Sequence, residues 1–145
     1  FEGTLVLTGV HGTDSLPFLI TSHGEGRATV NGGDYESFRI KNCENIRISN
    51  LDLTGAGRKE GNTTNGLQMV NCENCTIVDM NAGGFQKSGV DLYNCRNAEV
   101  RNVTASGNGF CGINIMGSSQ DSSATRAASI TKVNAVGMPS AGMTM

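Results

Sequence analysis

Few side chains in this 145-residue chain can move a proton or hold a charged ligand: it has 13 Asp and Glu, 11 Lys and Arg, and 2 His. Two acids are placed where they would matter. Asp91 follows Gly89-Val90, with Gln68 and Asn114 at the matching places of neighbouring segments, and Glu60 sits in a long Gly-rich turn beside Arg58 and Lys59. Glycoside hydrolysis generally takes two carboxylates, about 5–5.5 Å apart for retention or about 6.5–9.5 Å for inversion. Asp91 and Glu60 are the candidate pair. Arg58, Lys59 and Lys87 would hold a uronate or sulfate group, or one of them would serve as a lyase base. Arg39, Gln68 and Asn114 would follow the hydroxyls of a sugar chain, and Phe85, if exposed, would stack on a sugar ring. The plainer reading stands beside this one: the outward row of a sheet is polar in any case, and Phe85 fits equally well wedged inside its turn.

The remaining reactive residue types point to structure. Five cysteines cannot all pair within the chain, and Cys72 and Cys75 form a lone CxxC with no second pair of ligands for zinc. No cofactor is expected; calcium is the one metal left open, and no Asp/Glu cluster supplies its ligands. His11 and His23 lie in or beside Gly-rich turns and read as turn residues.

An internal repeat must position the candidate residues. Segments 38–48, 67–77 and 90–100 align, each with Asn-Cys-x-Asn between two alternating stretches: Asn42-Cys43-Glu44-Asn45, Asn71-Cys72-Glu73-Asn74 and Asn94-Cys95-Arg96-Asn97. The second and third copies are offset by 23 residues; the first and second are offset by 29, the surplus falling in 55–65. A fourth copy begins at 112–115 and resumes at 129–133 after a Ser-rich loop, 117–128. A degenerate copy occupies 4–8, 18–22 and 28–31, and 142–145 reads as the opening strand of one more.

Within each copy apolar and polar residues alternate, as in Ile46, Ile48, Leu51 and Leu53, and no helical period is sustained. Three short strands per copy cannot bury their apolar faces alone. Stacking the copies at the inter-strand spacing of about 4.7–4.9 Å buries them in one column. The expected fold is all-β: a right-handed, single-stranded parallel β-helix, a solenoid of about five coils. It forms one domain over 1–145, with opening coils at 1–35 and regular repeats at 36–145. Asn tolerates left-handed backbone angles and bonds its neighbours, so Asn42, Asn71 and Asn94, and separately Asn45, Asn74 and Asn97, should form ladders. Cys43, Cys72 and Cys95 should stack as small core residues. Arg39, Gln68, Asp91, Asn114 and Thr144 should form one outward row. Arg47, Thr76, Glu99 and Ser129 should form another, read as a solvated face with weak cross-strand pairing.

Gly followed by alternating apolar residues, then Asn-Cys-x-Asn, then a second alternating strand resembles the parallel β-helix repeat of the pectin-lyase-like superfamily, over nearly the whole chain. The opening, with Gly3-Thr4-Leu5-Val6-Leu7, His11-Gly12-Thr13, Pro17-Phe18-Leu19-Ile20, Gly24-Glu25-Gly26 and Ala28-Thr29-Val30-Asn31-Gly32, is similar to the first coils of such proteins. The resemblance implies a carbohydrate-active protein that is secreted, periplasmic or at the cell surface. Specific catalytic sets do not carry over. Thr63-Thr64-Asn65-Gly66 has Asn where polygalacturonase-like enzymes place an acid, and Gln86-Lys87-Ser88-Gly89 offers no carboxylate.

Composition closes off other classes. Net charge is -2 and the pI about 5.6, with no basic block for nucleic acid. No apolar run approaches the roughly 18–20 residues of a membrane span. A monomer acting on a polysaccharide is expected, and with no polar capping helix at either end, a stretch of a longer β-helix. Glycoside hydrolase is favoured over polysaccharide lyase. The alternative is a non-catalytic β-helix that binds glycans or serves as an adhesion scaffold.

Overall fold

Interior alternation and tight Asn turns leave strands as the only economical way to bury this chain, and strands are what form. The computed structural model describes residues 1–57 and 64–117, together with the backbone of 129–131 and 143–144. Among the described residues every regular element is a strand. In chain order they are β1 (Leu5–Thr8), β2 (Phe18–Thr21), β3 (Ala28–Gly33), β4 (Phe38–Lys41), β5 (Ile46–Gly55) and β6 (Leu67–Val70). Then come β7 (Thr76–Gly83), β8 (Ser88–Tyr93), β9 (Glu99–Ser106), β10 (Cys111–Met116), β11 (Ser129–Thr131) and β12 (Met143–Thr144).

One sheet runs β1-β4-β6-β8-β10-β12, and the other runs β11-β9-β7-β5-β2 with β3 also paired to β5. From β4 onward, consecutive strands alternate between the sheets, and the pairings in both are parallel. The sequence repeat is the pairing register. Phe38 pairs Leu67, Leu67 pairs Val90, and Val90 pairs Ile113. One residue on, Arg39, Gln68, Asp91, Asn114 and Thr144 are partners in turn. On the second sheet Arg47, Thr76, Glu99 and Ser129 line up as expected. Each copy of the repeat is called a tier below, and each set of paired equivalents a column or row.

Between the sheets lies one apolar core. Phe38, Ile40, Leu67, Met69, Val90, Leu92 and Ile113 enter from the first sheet, and Ile46, Ile48, Leu51, Leu53, Ile77, Met80, Val100 and Val103 from the second. Burial of a Val, Leu, Ile, Phe or Met side chain contributes about 1.5–3 kcal/mol. A chain with no Trp thus builds its core by repeating medium-sized groups.

One local expectation is corrected. Whereas β2 and β3 of the degenerate copy remain distinct, in the three clear copies the second and third strands are not separate: β5, β7 and β9 each run through both. Each bends at a single left-handed residue, Asn50 (φ 57°), Asp79 (φ 56°) or Asn102 (φ 52°). Between β5 and β7 the register steps over Asn50 and Asp79 and resumes at Leu51 and Met80. A short polar side chain adopts that angle at little cost, so the strand turns a corner without losing its partners. Among the described residues no helix is long and apolar enough to cross a membrane.

Candidate functional site

Three columns of side chains meet just before and along β6, β8 and β10. Register makes Gln68, Asp91 and Asn114 a floor running across the strands. Beside it stands a wall of Asn65, Ser88 and Cys111. The Ser88 N–H donates to Asn65 Oδ1 at 2.9 Å, and Ser88 Oγ lies 3.2 Å from Cys111 Sγ. The rim is Thr64, Lys87 and Phe110, joined by backbone bonds from Lys87 N to Thr64 O (3.3 Å) and from Phe110 N to Lys87 O (2.9 Å). Asn65, Gln68, Lys87, Ser88, Asp91, Phe110 and Asn114 line a cleft of about 440 Å³.

Lys87, Gln68, Asp91 and Asn114 are therefore brought together, as their spacing predicted. Asp91 and Asn114 lie deep in the cleft rather than on an open face, at 9% and 8% relative exposure. Asn114 Nδ2 donates to Asp91 Oδ1 at 2.6 Å, which fixes the carboxylate's orientation. Other polar groups here have no protein partner among the described residues: Asp91 Oδ2, Asn114 Oδ1, Asn65 Nδ2, the Gln68 amide and Lys87 Nζ. Buried polar atoms are normally bonded to something. A cleft holding several unbonded donors and acceptors is thus prepared for water or for a hydroxyl-rich ligand. Comparison of the chain with family models, curated proteins and solved structures finds no match. The functional reading accordingly rests on the geometry of this cleft and on the repeat.

Other candidates fare differently. Phe85 is fully buried and forms no stacking platform. Its ring lies against Gly66, where a Cβ would fall 2.5 Å from a ring atom, and its N–H donates to Asn108 Oδ1 at 3.0 Å. Arg39 continues the floor row, but its guanidinium is bound to both carboxylate oxygens of the buried Glu36, at 2.9 and 3.0 Å. It is held by the protein and not poised for a ligand. Arg58, Lys59 and Glu60 lie outside the described residues, as do 118–128 of the Ser-rich loop and the side chains of Ser129 and Thr144.

Asn65, Ser88 and Phe110 were not singled out from sequence as site residues. Their signal was present: 65, 88 and 111, like 64, 87 and 110, follow the same 23-residue step as the Asn-Cys turn. Asn50, Asp79 and Asn102 form an overlooked column on the 29- and 23-residue offsets, in which Asn102 Nδ2 donates to Asp79 Oδ1 at 2.6 Å.

At the Asn-Cys corner, Asn94 Nδ2 donates to Asn71 Oδ1 at 2.6 Å, Asn71 Nδ2 to Asn42 Oδ1 at 3.4 Å, and Asn97 Nδ2 to Asn74 Oδ1 at 2.6 Å. All six Asn have left-handed φ of 50–55°. Asn45 departs from its ladder and donates to Gly12 O at 3.2 Å. Next to the amides, His11, Glu44, Glu73 and Arg96 form a bridged column; Glu44 lies 3.6 Å from His11 and Glu73 lies 2.6 Å from Arg96. Each acid of that column faces a basic partner. On the second sheet Glu99 pairs with Arg101 of its own strand at 3.1 Å, not across strands.

The five cysteines are free and buried. Burial pushes the Cys43 thiol up. The neighbouring Cys72 sulfur, and then burial, push the Cys75 and Cys95 thiols up, and those thiols donate to Glu73 O at 3.3 Å and to Tyr93 O at 3.5 Å. Among the described residues no group of three or more His, Cys, Asp or Glu is arranged to hold a metal ion.

Proposed function

We propose that the chain is a stretch of right-handed parallel β-helix from a secreted, periplasmic or surface carbohydrate-active protein, and that a polysaccharide lies across its strands in the cleft. Strands alternating between two parallel sheets, paired at the period of the sequence repeat, support the β-helix. The right hand follows from the chirality of parallel connections. The resemblance to the pectin-lyase-like repeat supports the carbohydrate reading.

The observation that carries it is the convergence of the Asp91 carboxylate and Lys87 in a cleft whose buried amides each keep one polar atom with no partner among the described residues. Alternating donors and acceptors at strand spacing suit the hydroxyls of successive sugars, and the free ammonium suits an acidic or plant-type polymer bearing uronate. The proposed activity is glycoside hydrolysis. Asp91 is one of the two carboxylates and Glu60 the named candidate for the other. In a lyase, Lys87 would take the proton adjacent to the uronate carboxyl instead.

A specific observation favours a second reading, a non-catalytic glycan-binding scaffold. Among the described residues Asp91 is the one carboxylate lining the cleft, and one of its oxygens is taken by Asn114. Incubation of wild type and Asp91→Asn with a polysaccharide panel separates these. A hydrolase releases reducing ends and loses that activity in the variant. A lyase yields an unsaturated, ultraviolet-absorbing product. Tight binding without product supports the scaffold, and no binding to any glycan rejects the proposal.

A further inference from the structure

The polar floor has apolar neighbours on both sides. On one side is the rim residue Phe110, 51% exposed although it lines the cleft. On the other, two residues beyond each floor position and on the same outward face, stand Lys41, Val70, Tyr93 and Met116, paired in register. Tyr93 and Met116 are 39% and 51% exposed. At about 3.3 Å per residue, Tyr93 lies about 6.6 Å along the strand from Asp91. Large exposed apolar groups on both sides of a trough of unbonded amides contribute little to the core; such an arrangement marks a surface that meets a ligand.

We propose that Phe110 and Tyr93 are the apolar flanks of the glycan site. They hold pyranose rings by their C–H faces, while ring hydroxyls reach Gln68, Asp91, Asn114 and Asn65. This rests on the proposed glycan reading and adds to it the apolar contacts that hold the sugar rings. A ligand held between Phe110 on one side and Tyr93 on the other, over a polar floor, has apolar faces and polar edges. A pyranose polymer has both. A peptide would instead seek the unpaired backbone of a sheet edge, and here the floor strands β6 and β8 are paired on both sides. The rows cross the strands, so the polymer lies along the stacking direction, with Phe110 and Asn114 on one tier, Lys87 and Asp91 on the next, and Asn65 and Gln68 on the third.

The test is titration of wild type, Phe110→Ala, Tyr93→Ala and the two conservative variants Phe110→Tyr and Tyr93→Phe with oligogalacturonate of defined length, and with cello-oligosaccharide as its neutral counterpart. Each alanine variant should bind about threefold to tenfold more weakly, and each conservative variant about as well as wild type. Melting temperatures of the alanine variants should fall only slightly, because both side chains are about half exposed. Sugar C–H protons should shift upfield on binding to wild type, and each alanine variant should lose part of that ring-current shift. If wild type binds and both alanine variants bind equally tightly with the same proton shifts, the flanks are overturned while the glycan reading stands. If wild type binds neither probe nor any polysaccharide of the panel, both fall. Retention of a protein partner through Phe110 and Tyr93, with no glycan bound, would also overturn the proposal.

Discussion

The Asn-Cys corner and the cleft are made from the same ingredients, amides and small polar residues repeated tier upon tier, yet they end in opposite states. At the corner the residue type is constant from Asn42 to Asn71 to Asn94, so each amide finds its partner in the neighbouring tier. In the cleft it changes at each step: Gln68, Asp91, Asn114 on the floor and Thr64, Lys87, Phe110 on the rim. Only the Asp91–Asn114 link closes along the floor. Along the corner ladder the side-chain amides bond one another from tier to tier; along the cleft floor, among the described residues, most of the polar atoms are left available. The corner is where the fold is held, and the cleft is where it has bonding capacity left over.

The largest expected effect breaks the comparison at its exception, the cleft-side amide Asn108. It is fully buried, accepting from Phe85 N at 3.0 Å and donating to Ala82 O at 3.1 Å. Asn108→Ala orphans the Phe85 N–H and takes a donor from Ala82 O, and should cost up to about 6 kcal/mol in chemical denaturation, at about 1–3 kcal/mol for each group left unsatisfied. Asn71→Ala should come next, at about 1–2 kcal/mol, because alanine must hold the left-handed φ of 55° at this exposed corner. Asn71→Gly should recover part of that loss, because it accepts the left-handed angle and lacks only the ladder bond. If Asn71→Ala melts like a surface control, the corner is not what holds the tiers.

Gln68→Ala and Asp91→Asn sharpen the contrast from the other side. Each should change stability by less than about 0.5 kcal/mol, because neither leaves a new buried orphan, yet each should weaken glycan binding measured by calorimetry. The smallest effect belongs to the charged column at the corner. Arg96→Ala removes a bond to Glu73 between two half-exposed side chains, and should cost under about 1 kcal/mol, falling towards zero in high salt.

Most of the strand order and register was legible because stacking forces equivalents to recur at fixed offsets. Phe38, Leu67, Val90 and Ile113 announce themselves by spacing alone. The continuous course of β5, β7 and β9 was not, because three short strands were counted in each copy where Asn50, Asp79 and Asn102 only bend the chain: a single left-handed residue interrupts alternation without ending pairing. At the site, Lys87, Gln68, Asp91 and Asn114 were legible from the same periodicity. Phe85 and Phe110 were not separable by type. Their fates depend on Gly66, which leaves room for the Phe85 ring within the turn, a packing relation between different tiers that no single repeat displays. Arg39 was read as a ligand group because its partner Glu36 sits three residues away, at a position where the other tiers carry Asn65, Ser88 and Cys111.

Nuclear magnetic resonance of the side-chain amides, recorded as the best-bound oligosaccharide is added, tests the central contrast most directly. The Asn65, Gln68 and Asn114 side-chain NH₂ signals should shift saturably, while those of Asn71 and Asn94, already spent on their neighbours, stay in place. Shifts confined to Asn71 and Asn94, or spread equally over both groups, would contradict the assignment of holding to the corner and binding to the cleft.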